Sequence, residues 1–413
     1  MRSSLVLVSL SVVSVIAFGC AEETVVAKPL SVTKNAVEEI SSPAGAGAAE
    51  PFLFATKDSL LLSWLEPVAG TDRSALRFAR YRNGKWSQPR TITDRNDLFV
   101  NWADFPSIVE DGKGVLFAHW LQKSGSDTYA YDVRMAISSD GGATWGKPFL
   151  LNRDGKKAEH GFATLAPLPG GGVGATWLDG RNMKAGGEHE HEAGDMTIRY
   201  ATVDAAGNIA ADVVLDERTC ECCATGMTMS SAGPVVVYRD RSPGEIRDNF
   251  YVRHDAKGWS APLPLHADGW KIDGCPVNGP QIDAVGDRAA VASFTAAGDR
   301  QRASVLLSRD LGATWGKPII VDDGKPAGRM DIVMLGRDAA LVTWLEQTAT
   351  GAEIRARRVT FDGKAGPSWK IADSAAARAA GFARIAGIGK DVYFAWTEQS
   401  ATSKRIHVAR GTF

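Results

Sequence analysis

Short apolar stretches that end in an aromatic residue recur along the chain every 50 to 61 residues. A shorter strand-like run precedes each of them, and two more follow around a polar turn. The seven aromatic positions are Trp64, Trp120, Trp177, Tyr238, Phe294, Trp344 and Trp396. No helical periodicity is sustained anywhere. Four short strands per repeat, separated by Gly, Asp and Asn turns, predict the antiparallel blades of an all-β propeller.

Seven markers predict seven four-stranded blades, with six blades as the alternative. The last repeat ends after its third strand, in the stretch RIHVARGTF. We expect a strand from the N-terminal segment, near residues 25–32, to pair with it and close the ring.

Two stretches, SSDGGATW at 138–145 and SRDLGATW at 308–315, share a Ser-x-Asp-x-Gly-x-Thr-Trp pattern. The Ser and Asp side chains suit a tight turn, and the Trp suits packing between blades. The pattern resembles the Asp-box of the sialidase-like (BNR-repeat) β-propeller superfamily. The resemblance covers the repeats from about residue 50 onwards, and it implies the fold with the Asp-box turns between third and fourth strands.

The N-terminus begins with Arg2 and an apolar run over residues 5–18, which is typical of a secretory signal. The following AFGC resembles a bacterial lipoprotein cleavage box, which implies that Cys20 is lipidated and that residues 1–19 are removed. Residues 20–48 are then a tether that includes the possible closing strand, and residues 49–413 form the propeller. We therefore expect a cell-envelope protein held on the bilayer by an acyl anchor, on the outer membrane and facing the periplasm.

Net charge is −1, and basic residues are spread along the whole chain. This distribution argues against nucleic-acid binding. We expect a monomer.

Four cysteines follow the predicted tether, and all four fall just before the first strand of a blade. Cys220, Cys222 and Cys223 precede the fourth blade, and Cys275 precedes the fifth. His160 holds the same position before the third blade. Because first strands line the central channel, these side chains should meet at one mouth of it, opposite the Asp-box turns.

Clustered thiolates with an imidazole suit Zn or Cu, so Cys220, Cys222, Cys223, Cys275 and His160 are candidate metal ligands. His189 and His191, in the stretch EHEHE, are weaker candidates or simply solvated loop residues. The alternative is two disulfides, since the compartment is oxidising and four is an even number. A labile, redox-active disulfide is a third possibility.

Other polar residues should line the same mouth and bind a small molecule or glycan: Trp102, Asn278, Arg239, Arg241 and Arg329. True sialidases use an arginine triad, an Asp acid/base and a Tyr–Glu pair, so the resemblance makes Asp104, Asp179, Tyr238 and Glu245 weak catalytic candidates. The first family arginine is missing from this chain, because the corresponding stretch reads AAEPFLFATKD. Whether the protein is an enzyme stays open; if it is one, we expect a sialidase-like glycoside hydrolase.

The leading hypothesis is an envelope propeller that binds a metal or small ligand at its Cys/His-lined mouth. The alternatives are a sialidase-like exo-glycosidase or carbohydrate-binding protein, and a disulfide-stapled scaffold for protein interaction.

Overall fold

Seven antiparallel sheets follow one another along the chain and form a seven-bladed β-propeller, as the repeated apolar pattern predicts. The structure is a computed structural model that describes residues 37–183, 194–377, 379–400 and 402–413. The seven sheets exclude the six-bladed alternative. Cys20, His189 and His191 lie outside the described residues.

The first strand in chain order belongs to the last blade, because β1 (Val37–Ile40) is the outer strand of the seventh. The first blade contains β2 (Ala49–Ala55), β3 (Leu60–Pro67), β4 (Ser74–Arg82), β5 (Lys85–Trp86) and β6 (Arg90–Arg95). The second contains β7 (Ser107–Glu110), β8 (Leu116–Lys123), β9 (Tyr131–Ser138) and β10 (Phe149–Leu150). The third contains β11 (His160–Pro167), β12 (Val173–Asp179), β13 (Thr197–Val203) and β14 (Ile209–Asp216).

The remaining blades follow the same plan. The fourth contains β15 (Gly226–Ser230), β16 (Gly233–Arg239), β17 (Asn249–Asp255), β18 (Gly258–Trp259) and β19 (Leu263–Pro264). The fifth contains β20 (Gln281–Val285), β21 (Arg288–Thr295), β22 (Arg302–Ser308) and β23 (Ile319–Ile320), with a 3-10 turn at Ala297–Asp299. The sixth contains β24 (Pro326–Met334), β25 (Ala339–Gln347), β26 (Ala352–Thr360) and β27 (Ala365–Ser374). The seventh contains β28 (Arg384–Ile388), β29 (Asp391–Gln399) and β30 (Lys404–Thr412).

The second strand of each blade is sandwiched between neighbouring blades and is therefore apolar on both faces. In β12 every residue is buried. The acid that follows the marker aromatic has a structural explanation. Trp177 Nε1 donates to Asp179 Oδ2 (2.8 Å) and Trp344 Nε1 to Glu346 Oε2 (2.7 Å), so the buried indole N–H finds an acceptor.

The two Asp-turns have the same geometry, and each joins the third strand of its blade to the fourth. In the first, Ser138 Oγ accepts from Gly142 N (2.9 Å) and Asp140 Oδ1 accepts from Thr144 N (2.9 Å). The second repeats both bonds at 2.9 Å, from Gly312 to Ser308 and from Thr314 to Asp310.

The molecule has two distinct faces. One, which we call the turn face, carries the turns between first and second strands and between third and fourth strands; there Phe361 N donates to Asp338 O (2.9 Å). The other, which we call the loop face, carries the loops between second and third strands and the connections between blades. On it Thr219 N donates to Met196 O (2.8 Å).

Carboxylates in the first strand of a blade, or just before it, accept hydrogen bonds from the first strand of the next blade. Asp104 Oδ2 accepts from Phe162 N (2.6 Å), and Asp331 Oδ2 accepts from Ile385 N (2.9 Å). Each bond satisfies a backbone N–H near the channel and fixes the spacing of two blades.

The ring is closed by β1, which pairs with β30 from Val37 opposite Gly411 to Ile40 opposite Val408. The prediction that an N-terminal strand closes the ring is confirmed, but its position at the apolar run 25–32 was wrong. The closing strand reads VEEI, and its two acids are exposed: Glu39 contacts His407 Nδ1 (2.6 Å). A short edge strand with two exposed acids leaves too little apolar pattern to be recognised.

Candidate functional site

The two cysteine-bearing connections lie against each other on the loop face. Cys220 N donates to Arg239 O (3.0 Å), which fixes the start of the triplet beside β16. The connection before β20 crosses the triplet so closely that a Cβ on Gly279 would lie 1.8 Å from Ala224 O. Glycine at 279 is therefore a steric requirement of this contact.

The four sulfur atoms meet at this crossing. Cys220 Sγ lies 3.5 Å from Cys223 Sγ and 3.7 Å from Cys222 Sγ, and the three sulfurs all lie within 4.8 Å of one another. Cys222 is in turn a hydrogen-bond partner of Cys275. Cys220 and Cys223 are buried, whereas Cys222 and Cys275 are half-buried. The half-buried pair gives this group of four, which we call the thiol cluster, an opening to solvent.

No disulfide is formed among the described cysteines, and the separations of Cys220 Sγ from Cys222 Sγ (3.7 Å) and Cys223 Sγ (3.5 Å) far exceed the ~2.05 Å of a bond. The disulfide hypothesis is therefore not confirmed. The separations instead match what a tetrahedral ion needs, since ~2.3 Å metal–sulfur bonds place sulfurs about 3.8 Å apart.

The thiols differ in acidity. Burial raises the pKa of Cys220 to about 11. Burial acts in the same direction on Cys223, but hydrogen bonds from Cys220 and Cys222, with the nearby Arg239, hold its pKa well below the usual range. The hydrogen bond from Cys222 lowers the pKa of Cys275 as well. Cys223 and Cys275 are thus the sulfurs that carry negative charge most readily.

A buried network of two arginines and two glutamates contacts the thiol cluster through Cys220. Arg247 Nη1 donates to Cys220 Sγ (3.4 Å) and to Glu221 Oε2 (2.8 Å), while its Nη2 donates to Glu245 Oε2 (2.8 Å). Arg241 bridges the same two glutamates. Neither Glu221 nor the thiol contact of Arg247 was identified from the sequence. The one available signal was the position of Glu221 inside the Cys-x-Cys-Cys motif.

This network occupies the guanidinium of Arg241, which was predicted from the sequence to bind a ligand. Arg239 is also occupied, because it donates to the carbonyl oxygens of Asn278 (2.6 Å), Arg247 (2.6 Å) and Phe294 (2.8 Å). Both arginines therefore hold loops together rather than forming a clamp for a substrate carboxylate.

Asn278 connects the thiol cluster to the next blade. Its backbone N–H bonds to Cys223, and its side-chain oxygen accepts from Arg329 N (2.7 Å). The guanidinium of Arg329 lies over the Phe382 ring (5.3 Å), which Trp102 also contacts (5.9 Å between centroids). Trp102 and Arg329 thus belong to a separate aromatic contact on the loop face.

His160 lies in a different cluster from the cysteines. Its Nδ1 contacts Ala158 O (3.1 Å), and its Nε2 lies 3.3 Å from Asp154 Oδ2 and 3.7 Å from Asp179 Oδ1. Asp179 also accepts two hydrogen bonds from Arg181 (2.7 and 2.6 Å). The side chains of Asp154, His160 and Asp179 bring their ligand atoms within 4.8 Å of one another, as a cation site would. The positive charge beside these carboxylates is supplied by Arg181. The structure does not bring His160 into the sulfur group.

The catalytic candidates are not arranged as a glycosidase dyad. Tyr238 is fully buried and donates to Asp216 Oδ2 (2.6 Å), and burial raises its pKa strongly. Despite partial desolvation, Arg241 and Arg247 hold the pKa of Glu245 at about 2. Asp104 is the exception, since burial raises its pKa to about 7, but it bonds to the backbone of the next blade.

The central channel and the loop face each contain a cavity, and the two cavities differ sharply in volume. The channel cavity beside Asp104 and Arg384 measures about 50 Å³, well below the roughly 300–1,000 Å³ of ordinary ligand pockets. A cleft on the loop face, which we call the loop-face cleft, measures about 680 Å³. Its lining includes Trp270, Lys271 and Gln301. The connection that carries Cys275 forms one wall of it, and no motif in the sequence pointed to it.

No protein-family model matches the chain, and no curated protein matches it in sequence. Solved structures resemble its fold. The polysaccharide lyase Uly1 superposes with a TM-score of 0.54 at 10% identity, covering 88% of this chain and 89% of the other. A protein of unknown function from Dyadobacter fermentans gives 0.50 at 13% identity, covering 92% and 96%. An α-L-arabinanase from Penicillium chrysogenum, complexed with arabinobiose, gives 0.49 at 11% identity, covering 89% and 93%.

The likeness to Uly1, at a TM-score of 0.54 and 10% identity, supports the fold alone. Within the described part of the chain, no helix combines the length and apolarity that crossing a membrane requires.

Proposed function

We propose that this protein is a membrane-anchored envelope propeller that binds a soft metal ion, Zn(II) or Cu(I), through Cys220, Cys222, Cys223 and Cys275. The observation that carries the proposal is the spacing of the three sulfurs of Cys220, Cys222 and Cys223, which suits a tetrahedral ion, together with the contact of Cys222 with Cys275 from the next connection. Thiolates select soft or borderline ions, and Arg247 beside Cys220 offsets part of their negative charge. The partly exposed Cys222 and Cys275 provide the route by which the ion enters.

The test is the metal content of full-length protein purified under reducing conditions, measured by elemental mass spectrometry with a parallel thiol count. We expect about one Zn or Cu per chain, because four thiolates complete one coordination shell. Replacing Cys222 and Cys223 together by Ser should lower occupancy at least about tenfold. The matched control is Cys20→Ser, which changes a cysteine outside the thiol cluster and should keep the metal. A chain that has four free thiols and binds neither ion would contradict the proposal.

A second candidate function is carbohydrate binding in the loop-face cleft. Its size falls within the range of ligand sites, and it combines Trp270 with the polar residues Lys271 and Gln301. The polysaccharide lyase Uly1, which shares the fold, acts on a carbohydrate by its name. Binding is favoured over hydrolysis, because Tyr238 and Glu245 are held in structural bonds.

This candidate is tested by calorimetric titration with neutral and acidic oligosaccharides, together with a fluorogenic sialoside assay. We expect saturable binding that Lys271→Ala weakens at least about tenfold, as the loss of a charged hydrogen bond would. Lys390→Ala, an exposed lysine on the turn face, should have no effect. Sialoside turnover would favour hydrolysis instead, and no binding by any oligosaccharide would remove this candidate.

A further inference from the structure

A second large cleft lies on the turn face, next to blades five, six and seven. It measures about 930 Å³, and we call it the turn-face cleft. Its charged lining residues are Arg288, Arg309, Arg358, Lys364, Asp338 and Asp362. Lys364 and Asp362 pair with each other (2.7 Å), so three arginines face a single remaining acid.

The three arginines of this cleft outnumber its remaining carboxylate, Asp338, and none of them pairs with it. Arg288 lies over the Phe361 ring at 5.0 Å from its centroid, and Arg309 lies 6.0 Å from the same centroid. Arg288 Nε is buried and has no hydrogen-bond partner among the described residues. Within that part of the chain, Arg288, Arg309 and Arg358 form no ion pair. Arg309 Nη2 donates to the Phe361 carbonyl oxygen, which holds its guanidinium beside this ring. The two like charges repel each other, and an anion between them would reduce that repulsion.

The chain enters the propeller beside this cleft. Val37, the first residue of β1, pairs opposite Gly411 at the turn-face end of β30. Phe413, two residues further on, lines the cleft and packs on Trp369 (5.2 Å between centroids). A lipidated Cys20 would be joined to this point by 17 residues, which span at most about 60 Å when extended.

We propose that the turn-face cleft binds the phosphate groups of anionic phospholipids, so that the turn face lies on the membrane and the thiol cluster points away from it. The orientation depends on the anchor at Cys20, which is part of the proposed function, whereas the phosphate site does not. Arginine forks suit phosphate oxygens, and the Phe361 ring holds the guanidinium of Arg288 in the cleft, which Trp369 also lines.

The experiment uses full-length protein carrying Cys20→Ser, so that no acyl chain contributes. Co-sedimentation is measured with phosphatidylcholine vesicles that contain phosphatidylglycerol and with pure phosphatidylcholine vesicles. We expect binding to the former alone, weakening as salt is raised. Changing both Arg288 and Arg309 to Gln should reduce affinity roughly 30-fold, because each basic residue near a lipid surface contributes a factor of about five.

The matched control changes Arg153 and Arg405, two exposed arginines on the loop face, to Gln. It removes the same charge and should bind vesicles like the parent. Equal loss in both double variants, or none in the Arg288/Arg309 variant, would overturn the proposal. So would saturation by polygalacturonate, an acidic glycan, without vesicle binding. Metal content measured on the same samples separates this outcome from that of the thiol cluster.

Discussion

At the scale of single residues, the repeat pattern places a buried indole N–H and a buried carboxylate two residues apart, where they form a hydrogen bond. The indole of a marker tryptophan donates to an acid two residues later, and both side chains end up inside the sheet stack. Glu346 illustrates the arrangement, since it also accepts from Lys325 N (2.6 Å) and Asp323 N (3.2 Å). One carboxylate thus satisfies three donors that would otherwise be left buried without a partner.

Replacing Glu346 by Ala should therefore destabilise the protein by roughly 1–3 kcal/mol or more, because the indole and two backbone N–H groups lose their acceptor. Urea unfolding followed by tryptophan fluorescence measures the change. Glu398→Ala is the control at the equivalent position of blade seven, where the side chain is exposed and contacts His407. Its cost should stay within about 0.5 kcal/mol. Equal costs would show that the acid does not act through the indole.

At the scale of elements, the Asp-turns do more than reverse the chain. Gly142 has φ of +83°, and a Cβ there would lie 2.2 Å from Phe78 Cζ in the neighbouring blade. The adjacent Gly141 has φ of +70° but nothing within 4 Å of its Cβ position. The same turn therefore contains one glycine that favours a left-handed backbone, which Leu311 adopts at the equivalent position of the second Asp-turn (φ +63°), and one that is needed for contact between blades.

Substitutions at Gly141 and Gly142 separate the cost of backbone conformation from the cost of packing between blades. Gly141→Ala should cost about 1–2 kcal/mol, the penalty for a left-handed backbone in a residue with a Cβ. Gly142→Ala should cost that and a further 1–3 kcal/mol or so, because Phe78 must move. Thermal unfolding of the two variants, measured side by side, gives the difference. If both lose the same stability, the packing of the turn against blade one is not tight.

At the scale of the whole molecule, the repeat pattern was sufficient to predict the blade number, because each blade needs one fully buried strand and such strands are easy to see. It was also sufficient to place Cys275 beside the triplet of Cys220, Cys222 and Cys223, since the position of a residue before a first strand determines its face. It could not separate His160 from the cysteines. The direction of that imidazole depends on Asp154, in the connection before β11, and on Asp179, the last residue of β12.

The partners of the arginines were equally invisible in the sequence. Arg239 bonds to backbone carbonyls of three separate segments, and carbonyl positions leave no mark on residue type. The turn-face cleft escaped notice for a related reason, since Arg288, Arg309 and Arg358 are scattered over 71 positions of sequence. Their proximity follows only from the angle between neighbouring blades.

The strand that closes the ring joins residues more than 360 positions apart, as in the contact between Glu39 and His407. That pairing forms only after the last strand has emerged from the ribosome, or from the translocation channel of an exported chain. Until then six blades stand in an open arc, and the sides of the first and sixth blades that later contact the seventh have no cover. Closure of the ring is therefore a late folding event. Shortening β1 or β30 should prolong the lifetime of the open intermediate.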